Sequence, residues 1–199
     1  WMHYMNDMKC PYKILIADGG QDKSIEEYLL DASNYPELNY EYIRYPYDET
    51  IEDFYRKFEN VLSQVQTKYL LTADNDDFFL LNCIPNFLTF LKDNDEYVGC
   101  RGQLVNLTLF GRKGESDNLT KGDYYTATLK QASSIENDCP YERVGVLCRD
   151  MSKYDYYANW YCVFRTSIWQ EMWESLLKIK IKEMIVNEIL SHILINMRG

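Results

Sequence analysis

The sequence predicts an α/β domain built around a mostly parallel β-sheet. Segments with strand-like and helix-like patterns alternate along the first 80 residues, and the connections between them are short. This alternation is typical of βαβ units, whose strands run parallel. The first strand-like segment is almost entirely apolar, which is typical of a central strand that is buried on both faces. A length of 199 residues suits one such domain.

The first half of the chain supplies three predicted strands and two predicted helices. The strands are apolar or alternating segments at residues 13–18, 40–45 and 68–73. A short helix at residues 24–30 separates the first two strands. The clearest helix begins at Thr50, where Thr-Ile-Glu-Asp resembles a capping box. Apolar residues then recur at 3.6-residue spacing from Ile51 to Val65, which predicts one buried helix face.

In the second half of the chain, strand-like and helix-like segments alternate less regularly. Apolar periodicity predicts helices at residues 84–91, 141–148, 167–177 and 183–196. Extended segments are predicted at residues 96–109 and 161–165, and the polar, glycine-bearing residues 111–121 are predicted to form a loop that serves as a mobile lid. The sequence contains neither an internal repeat nor a linker rich in Pro, Gly or Ser, so we expect a single domain.

The chain is strongly acidic. It has 21 Lys and Arg residues against 31 Asp and Glu residues, a formal net charge of -10 and a pI near 4.7. A nucleic-acid partner is not expected, because phosphate backbones require clustered cations. A ligand that carries phosphate would need a metal cation to bind here. No apolar stretch reaches the roughly 18 residues of a membrane span, so we expect no transmembrane segment.

Carboxylates follow two of the first three predicted strands. Asp18 ends the first strand, and Asp74, Asp76 and Asp77 follow the third. Ligands of open α/β sheets bind beyond the carboxyl ends of the strands, so we expect these acids at the binding edge. Three neighbouring carboxylates repel one another, and a hard divalent cation such as Mg2+ or Mn2+ would compensate for that repulsion. A solvated acidic turn, in which Asp and Asn are common, is the alternative.

Two segments carry a more specific pattern, Ile-Leu-Ile-Ala-Asp-Gly-Gly at residues 14–20 and Tyr-Leu-Leu-Thr-Ala-Asp-Asn-Asp-Asp at residues 69–77. With the capped helix between them, they resemble the nucleotide-sugar half of family 2 glycosyltransferases, in which a DxD motif follows a strand. The resemblance continues more faintly in the segment at residues 161–165 and in Asn187-Glu188, where the family carries a Glu-Asp pair. Asn187 departs from that pair.

The resemblance implies a single Rossmann-like domain of the A-type glycosyltransferase fold over residues 1–199. Residues 1–80 would form the nucleotide-sugar-binding half and residues 81–199 the acceptor-side half. The first strand of the family would precede the helix-like residues 1–8 and is absent from this sequence. The chain also starts at Trp1 without an initiator Met and stops directly after a helical pattern, so we expect further residues at both ends.

The resemblance also implies roles for five residues. Asp18 would accept a hydrogen bond from the nucleotide base, and Asp74 would contact the ribose. Asp76 would bind the Mn2+ or Mg2+ ion that bridges the diphosphate. Asp77 would orient the acceptor or act as a supporting acid. Glu188 would be the general base that takes the proton from the acceptor hydroxyl. For Asp18 the alternative is a tight Asp-Gly-Gly turn, and for Glu188 it is a solvated helix position.

The function implied by this resemblance is sugar transfer from a nucleoside-diphosphate sugar to a hydroxyl group, with inversion. The acceptor would be a glycan or a lipid-linked molecule, and the protein would act in the cytoplasm at the inner face of the membrane. An aromatic stretch at residues 154–161 would stack on a sugar ring or, alternatively, pack at the edge of the core.

Two other classes of protein remain open on the sequence. One is a sugar-phosphate nucleotidyltransferase, a class that normally carries a Gly-rich loop with Arg or Lys after its first strand. No such loop stands in this sequence. The other is a non-catalytic domain that binds a cation or a glycan.

Overall fold

The computed structural model describes residues 1–110, 124–130, 133–149 and 156–199. The α-helices in these ranges are α1 (Met2–Asp7), α2 (Ser24–Leu30), α3 (Ile51–Ser63), α4 (Ile84–Asp93), α5 (Pro140–Arg149), α6 (Thr166–Ile179) and α7 (Met184–Arg198). The strands are β1 (Ile14–Asp18), β2 (Tyr40–Arg44), β3 (Tyr69–Leu71), β4 (Gly99–Cys100), β5 (Leu104–Phe110), β6 (Tyr124–Lys130) and β7 (Val163–Arg165).

The described elements agree with the sequence patterns except around the middle of the chain. The extended segment predicted at residues 96–109 divides into β4 and β5. Strand β6 was not predicted, and it pairs with β5 as an antiparallel hairpin. Its sequence is rich in Tyr and Thr, which is typical of strands, but no apolar run marks it. The lid predicted at residues 111–121 lies outside the described residues.

The strand pairings differ from the mostly parallel sheet that the sequence predicts. Among the described residues, only β1 and β2 pair in parallel, whereas the pairs β3–β7, β4–β7 and β5–β6 are antiparallel. The reason is that β7 comes from the far end of the chain and inserts between β3 and β4 in the opposite direction. These small, mostly antiparallel sheets do not establish a Rossmann-like fold, which stays a prediction.

Strand β1 also differs from the central strand that its apolar sequence suggests. It pairs only with β2 in the described part of the chain, and all five of its residues are half-buried. An apolar run indicates that a strand contacts other apolar groups, but it does not specify how many strands flank it. In the described part of the chain, β1 is therefore not a central strand, and both of its faces are partly buried.

The main core lies where α3, α6 and α7 pack over β7. Phe164 of β7 stacks on Trp169 of α6 with ring centroids 4.3 Å apart, and both side chains are almost fully buried. Helix α3 contributes Tyr55 and Leu62 from its apolar face. Close packing of this kind holds the three helices in a fixed arrangement, and the candidate site described below lies against it.

A smaller core cluster connects the β1–β2 sheet with the sheet that contains β3. Met5 of α1 and Ile84 of α4 are buried in it. Ile14 of β1 and Leu71 of β3 pack against the same cluster. The edges of β1 and β3 are therefore joined through apolar side chains.

None of the helices in the described ranges combines the length and the apolar composition that crossing a membrane would require.

The N-terminus of α3 provides a test of the local structure. The Thr50 hydroxyl accepts a hydrogen bond from the Asp53 backbone N–H at 3.2 Å, and the Asp53 carboxylate accepts one from the Thr50 backbone N–H at 3.0 Å. We predict that Thr50→Ala lowers the free energy of unfolding by about 1 kcal/mol, because the first turn of α3 loses its cap. Urea denaturation would measure the change. Thr50→Ser keeps the hydroxyl and should unfold like the wild type; equal losses in both variants would contradict the capping role.

Candidate functional site

A pocket of about 240 Å³ lies against the main core, between α3, α6 and α7. Most of its wall is aromatic and comes from side chains of the core and its edge, namely Phe54, Tyr55, Trp160, Trp169 and Trp173. Two carboxylates also line it, Asp74 after β3 and Glu188 in α7. An apolar pocket with a few convergent polar groups is the usual form of a small-molecule site.

Asp74 is placed by the residues that continue β3. Thr72 is buried, and its hydroxyl donates a hydrogen bond to the backbone carbonyl of Trp160. This contact joins the end of β3 to the 3-10 helix Tyr156–Tyr161, which contributes Trp160 and Tyr161 to the pocket wall. The acid two residues after Thr72 thereby reaches the pocket.

The pKa of Asp74 is raised, chiefly because burial disfavours the charged carboxylate. The nearby charges of Asp76 and Asp77 raise the pKa further, whereas the side chains of Trp160 and Tyr161 act in the opposite direction. Because the pKa of Asp74 is raised overall, burial and the neighbouring acids outweigh the contacts by which the described residues stabilise its negative charge.

Glu188 faces the same pocket from α7. Its Oε2 atom is buried and accepts no hydrogen bond from the described residues. Burial raises the pKa of Glu188, and repulsion from Asp74 raises it further. Two acids far apart in the sequence are thus close enough to repel each other across one pocket. A carboxylate with an unsatisfied oxygen and a raised pKa is a good proton acceptor for a bound ligand.

Tyr161 links two of the acids that follow β3. Its hydroxyl donates a hydrogen bond to the Asp77 carboxylate and lies 3.4 Å from an Asp74 oxygen. Burial, together with these two carboxylates, raises the pKa of Tyr161, so the phenol stays protonated and remains a donor. The aromatic stretch predicted as a sugar-stacking surface or a core edge includes Trp160 and Tyr161, but the sequence did not predict that Tyr161 orients acids. The positions before Tyr156 in that stretch lie outside the described residues.

Asp76 and Asp77 are both exposed, and they differ in their contacts. Asp77 accepts the hydrogen bond from Tyr161, whereas no described residue forms a hydrogen bond with the Asp76 side chain. In the described part of the chain, no group of three or more His, Cys, Asp or Glu side chains is placed to hold a metal ion. A cation at Asp76 would therefore need ligands beyond the side chains of the described residues.

Asp18 is not among the residues that line the pocket. Its carboxylate accepts hydrogen bonds from the Tyr42 hydroxyl and the Arg44 guanidinium, both at 2.6 Å, and from the Gly20 backbone N–H at 2.8 Å. Partial burial alone would raise the pKa of Asp18, but these donors and the Arg44 charge lower it. Asp18 is thus both part of a tight turn and half of an ion pair, and the structure does not bring it together with Glu188.

The turn after Asp18 depends on a glycine. A Cβ atom at Gly19 would lie 2.4 Å from a carboxylate oxygen of Asp48. Asp48 is held there by an ion pair with Lys57 of α3 and by donation from its backbone N–H to the Gly19 carbonyl at 3.0 Å. A side chain at position 19 would displace the Asp48 carboxylate and disturb its ion pair with Lys57. Glycine therefore has a steric role here.

Asn187 stands where the resemblance places the first acid of a Glu-Asp pair. Its side chain is buried, and its amide donates a hydrogen bond to the Ile181 carbonyl at 2.9 Å. This contact fixes the start of α7 against the preceding turn. Asn187 is therefore a structural residue next to Glu188.

No protein-family model, curated protein or solved structure matches this chain.

The electrostatics of Glu188 predict an unusual pH dependence of stability. Its native pKa lies above the ordinary value of 4.5, so folding penalises the charged form. The penalty is absent at pH values below 4.5, where the carboxyl is protonated in both states. It grows as the pH rises through the ordinary value and is complete above the raised native one. We predict that Glu188→Gln raises the melting temperature at pH 7 and that this gain disappears under acidic conditions.

Thermal melts between pH 4 and pH 8 would measure this effect. Glu49→Gln makes the same chemical change at an exposed loop position, and it should leave the melting temperature unchanged across the range. If Glu188→Gln destabilises the protein equally at both ends of the range, the carboxylate is not penalised by burial and the interpretation fails.

Proposed function

We propose that this protein is a metal-dependent glycosyltransferase that moves a sugar from a nucleoside-diphosphate sugar to a hydroxyl acceptor. The observation that carries the proposal is that Asp74, directly after β3, and Glu188 of α7 line one aromatic pocket. The donor diphosphate would lie at the side of Asp74 and Asp76, and the acceptor hydroxyl would lie near Glu188. Asp74 and Glu188 line the pocket, which supports the roles that the resemblance to family 2 glycosyltransferases implies for them, whereas Asp76 is not among the lining residues.

Glu188 would act as the general base. Its Oε2 atom is buried and accepts no hydrogen bond from a described residue, so an acceptor hydroxyl can donate to it. As the acceptor oxygen forms its bond to the anomeric carbon, the proton passes to Glu188. The bond from that carbon to the diphosphate breaks, and the nucleoside diphosphate leaves with the bonding electrons. One displacement of this kind inverts the configuration at the anomeric carbon.

The acids after β3 fit a hard divalent cation in their chemistry, since they offer only oxygen ligands. Asp76 would hold Mn2+ or Mg2+, and the donor diphosphate would supply oxygens that the described chain does not. The ion would stabilise the negative charge that develops on the leaving diphosphate. The net charge of the chain, -10, also favours a cation at the site, because an acidic protein repels a diphosphate that no cation accompanies.

The aromatic wall supports a sugar substrate. Trp160 stacks on Phe58 at 4.7 Å and packs against Trp173 at 6.0 Å, so its ring is held in place. The apolar faces of a sugar ring pack well on such surfaces. A wall of this kind also limits the access of water, which would otherwise compete with the acceptor hydroxyl.

A non-catalytic glycan-binding domain is the second candidate. The aromatic wall favours it as strongly as it favours a transferase, and the described residues alone do not complete a metal site. The two candidates differ in the dependence on nucleotide and metal, which only the transferase requires.

Nucleotide binding provides the first test of this function. We predict that UDP or GDP raises the melting temperature of the protein only when Mn2+ or Mg2+ is present, and that Asp76→Ala removes the shift. The physical reason is that Asp76 would hold the cation, whose charge would offset the charge of the diphosphate. Asp93→Ala makes the same change at an exposed acid of α4 and should keep the full shift. A wild-type protein that responds to neither nucleotide with either metal would rule out the transferase.

Turnover provides the second test. With a panel of nucleotide sugars and hydroxyl acceptors, we predict that Glu188→Gln lowers the rate of nucleoside-diphosphate release by about 10²–10⁴-fold. The metal-dependent nucleotide shift should stay intact, because Glu188 acts on the acceptor. Glu49→Gln serves as the matched control and should turn over normally. Loss of the nucleotide shift in Glu188→Gln, or an unchanged rate, would contradict the assignment of the base.

A further inference from the structure

The corner between α6 and α7 exposes apolar and basic side chains side by side. We name this surface the 178–186 corner. It consists of Lys178, Ile179, Lys180, Ile181, Lys182, Glu183, Met184, Ile185 and Val186. Ile179, Met184 and Ile185 are 46%, 53% and 55% exposed, respectively. Exposed apolar side chains so close together in the sequence form a patch, which is more informative than a single exposed residue.

The charge of the corner is opposite to that of the protein as a whole. Three lysines stand within five residues in a chain whose net charge is -10, and the corner contains a single acid, Glu183. The three lysine side chains are exposed, and that of Lys178 has 77% of its surface in contact with solvent. The corner is thus a local basic patch on an acidic molecule.

Among the described residues, two acids outside the corner face these lysines, and neither neutralises them fully. Glu174 lies 3.8 Å from Lys178, with both side chains largely exposed, so this pair is weak. Glu52 lies near Lys180 but is paired with Arg56 at 2.6 Å. The positive charge of the corner therefore remains available to an external partner.

The backbone at Lys180 supports a role for its charge. This residue ends α6 in the left-handed conformation, with φ at 57°. Glycine or asparagine is usual at such a helix end, because a Cβ atom is strained there. A lysine at this position costs strain that glycine would avoid, and it places an exposed cation next to the exposed Ile179.

We propose that the 178–186 corner docks on the surface of an anionic lipid bilayer. Ile179, Met184 and Ile185 would enter the boundary between headgroups and acyl chains. The lysine stems would lie along this boundary, and their ammonium groups would reach lipid phosphates. Apolar side chains flanked by lysines fit this partner better than a nucleic acid, which offers no apolar layer. The contact would be peripheral, since a corner of nine residues does not cross a bilayer.

The position of the corner relates docking to the pocket. Met184 is exposed in the corner and also lines the pocket that contains Glu188. A bilayer at the corner would therefore lie beside the pocket opening. Membrane docking is independent of the proposed function, because it can be measured without nucleotide, metal or turnover.

Vesicle sedimentation tests the proposal directly. The protein is mixed with phosphatidylcholine vesicles that contain either no anionic lipid or about 30% phosphatidylglycerol, at about 0.1 M salt. We expect binding to the anionic vesicles, little binding to the neutral ones, and strong weakening at about 0.5 M salt. Equal binding to both kinds of vesicle, or binding to neither, would overturn the proposal.

Two double variants separate the charged and apolar contributions. Lys180→Gly with Lys182→Gln removes two charges, relieves the strain at position 180, and should weaken partitioning on the order of tenfold or more. Ile179→Ser with Ile185→Ser keeps the charges and should also weaken it. As the matched control, Ile25→Ser with Leu30→Ser removes two apolar side chains that are equally exposed in α2 and should bind like the wild type.

The remaining outcomes are equally decisive. Loss of vesicle binding in the α2 control would mean that exposed apolar side chains bind vesicles wherever they lie on the surface, which overturns the proposal.

Light scattering would reveal whether a second copy of the chain covers the corner instead. A dimer that the Ile179→Ser and Ile185→Ser pair dissociates would overturn membrane docking, whereas a monomer that binds anionic vesicles through the corner supports it. Melting curves confirm that each variant is folded.

Discussion

The packing of large aromatic rings between α3, α6 and β7 is the constraint on which both the core and the candidate site depend. The stack of Phe164 on Trp169 belongs to the core, and Trp173 extends it toward Phe58 and Trp160. Trp160, Trp169 and Trp173 of this network also line the pocket, so the site has no separate scaffold. Because these rings interdigitate at high density, a bound ligand would meet a surface that is already in place.

This apolar wall explains the electrostatics of the two pocket acids. Asp74 and Glu188 are partly removed from water by the rings around them, which raises the pKa of both, and repulsion from Asp74 raises the pKa of Glu188 further. Such an arrangement destabilises the folded state, which is common for residues that act on a ligand. Asp18 shows the opposite case, because Arg44 and Tyr42 satisfy its carboxylate within the chain.

Several parts of the structure could be predicted from local sequence. The capping box at Thr50 and the periodicity of α3 involve residues within one or two turns, so their signal is contained in a short window. The proximity of Asp74 and Glu188 follows from no local pattern. Only the resemblance to a family suggested it, and the structure places both side chains in one pocket. The hydrogen bond from Tyr161 to Asp77 had no sequence signal, since one tyrosine in an aromatic stretch does not differ from its neighbours.

The sequence by itself determined the order and type of most helices and strands, the acidic character of the chain and the acids that follow β3. These features depend on composition and on contacts between near neighbours. Only the tertiary structure decided the direction of the strands and the partner of each acid. β7 runs antiparallel between β3 and β4 because a distant segment returns there, and the three-residue strand Val-Phe-Arg has no directional signal. Likewise, Arg44 pairs with Asp18 because the parallel register of β1 and β2 sets the two residues side by side. No described residue donates a hydrogen bond to the buried Oε2 atom of Glu188, which α7 places against aromatic rings.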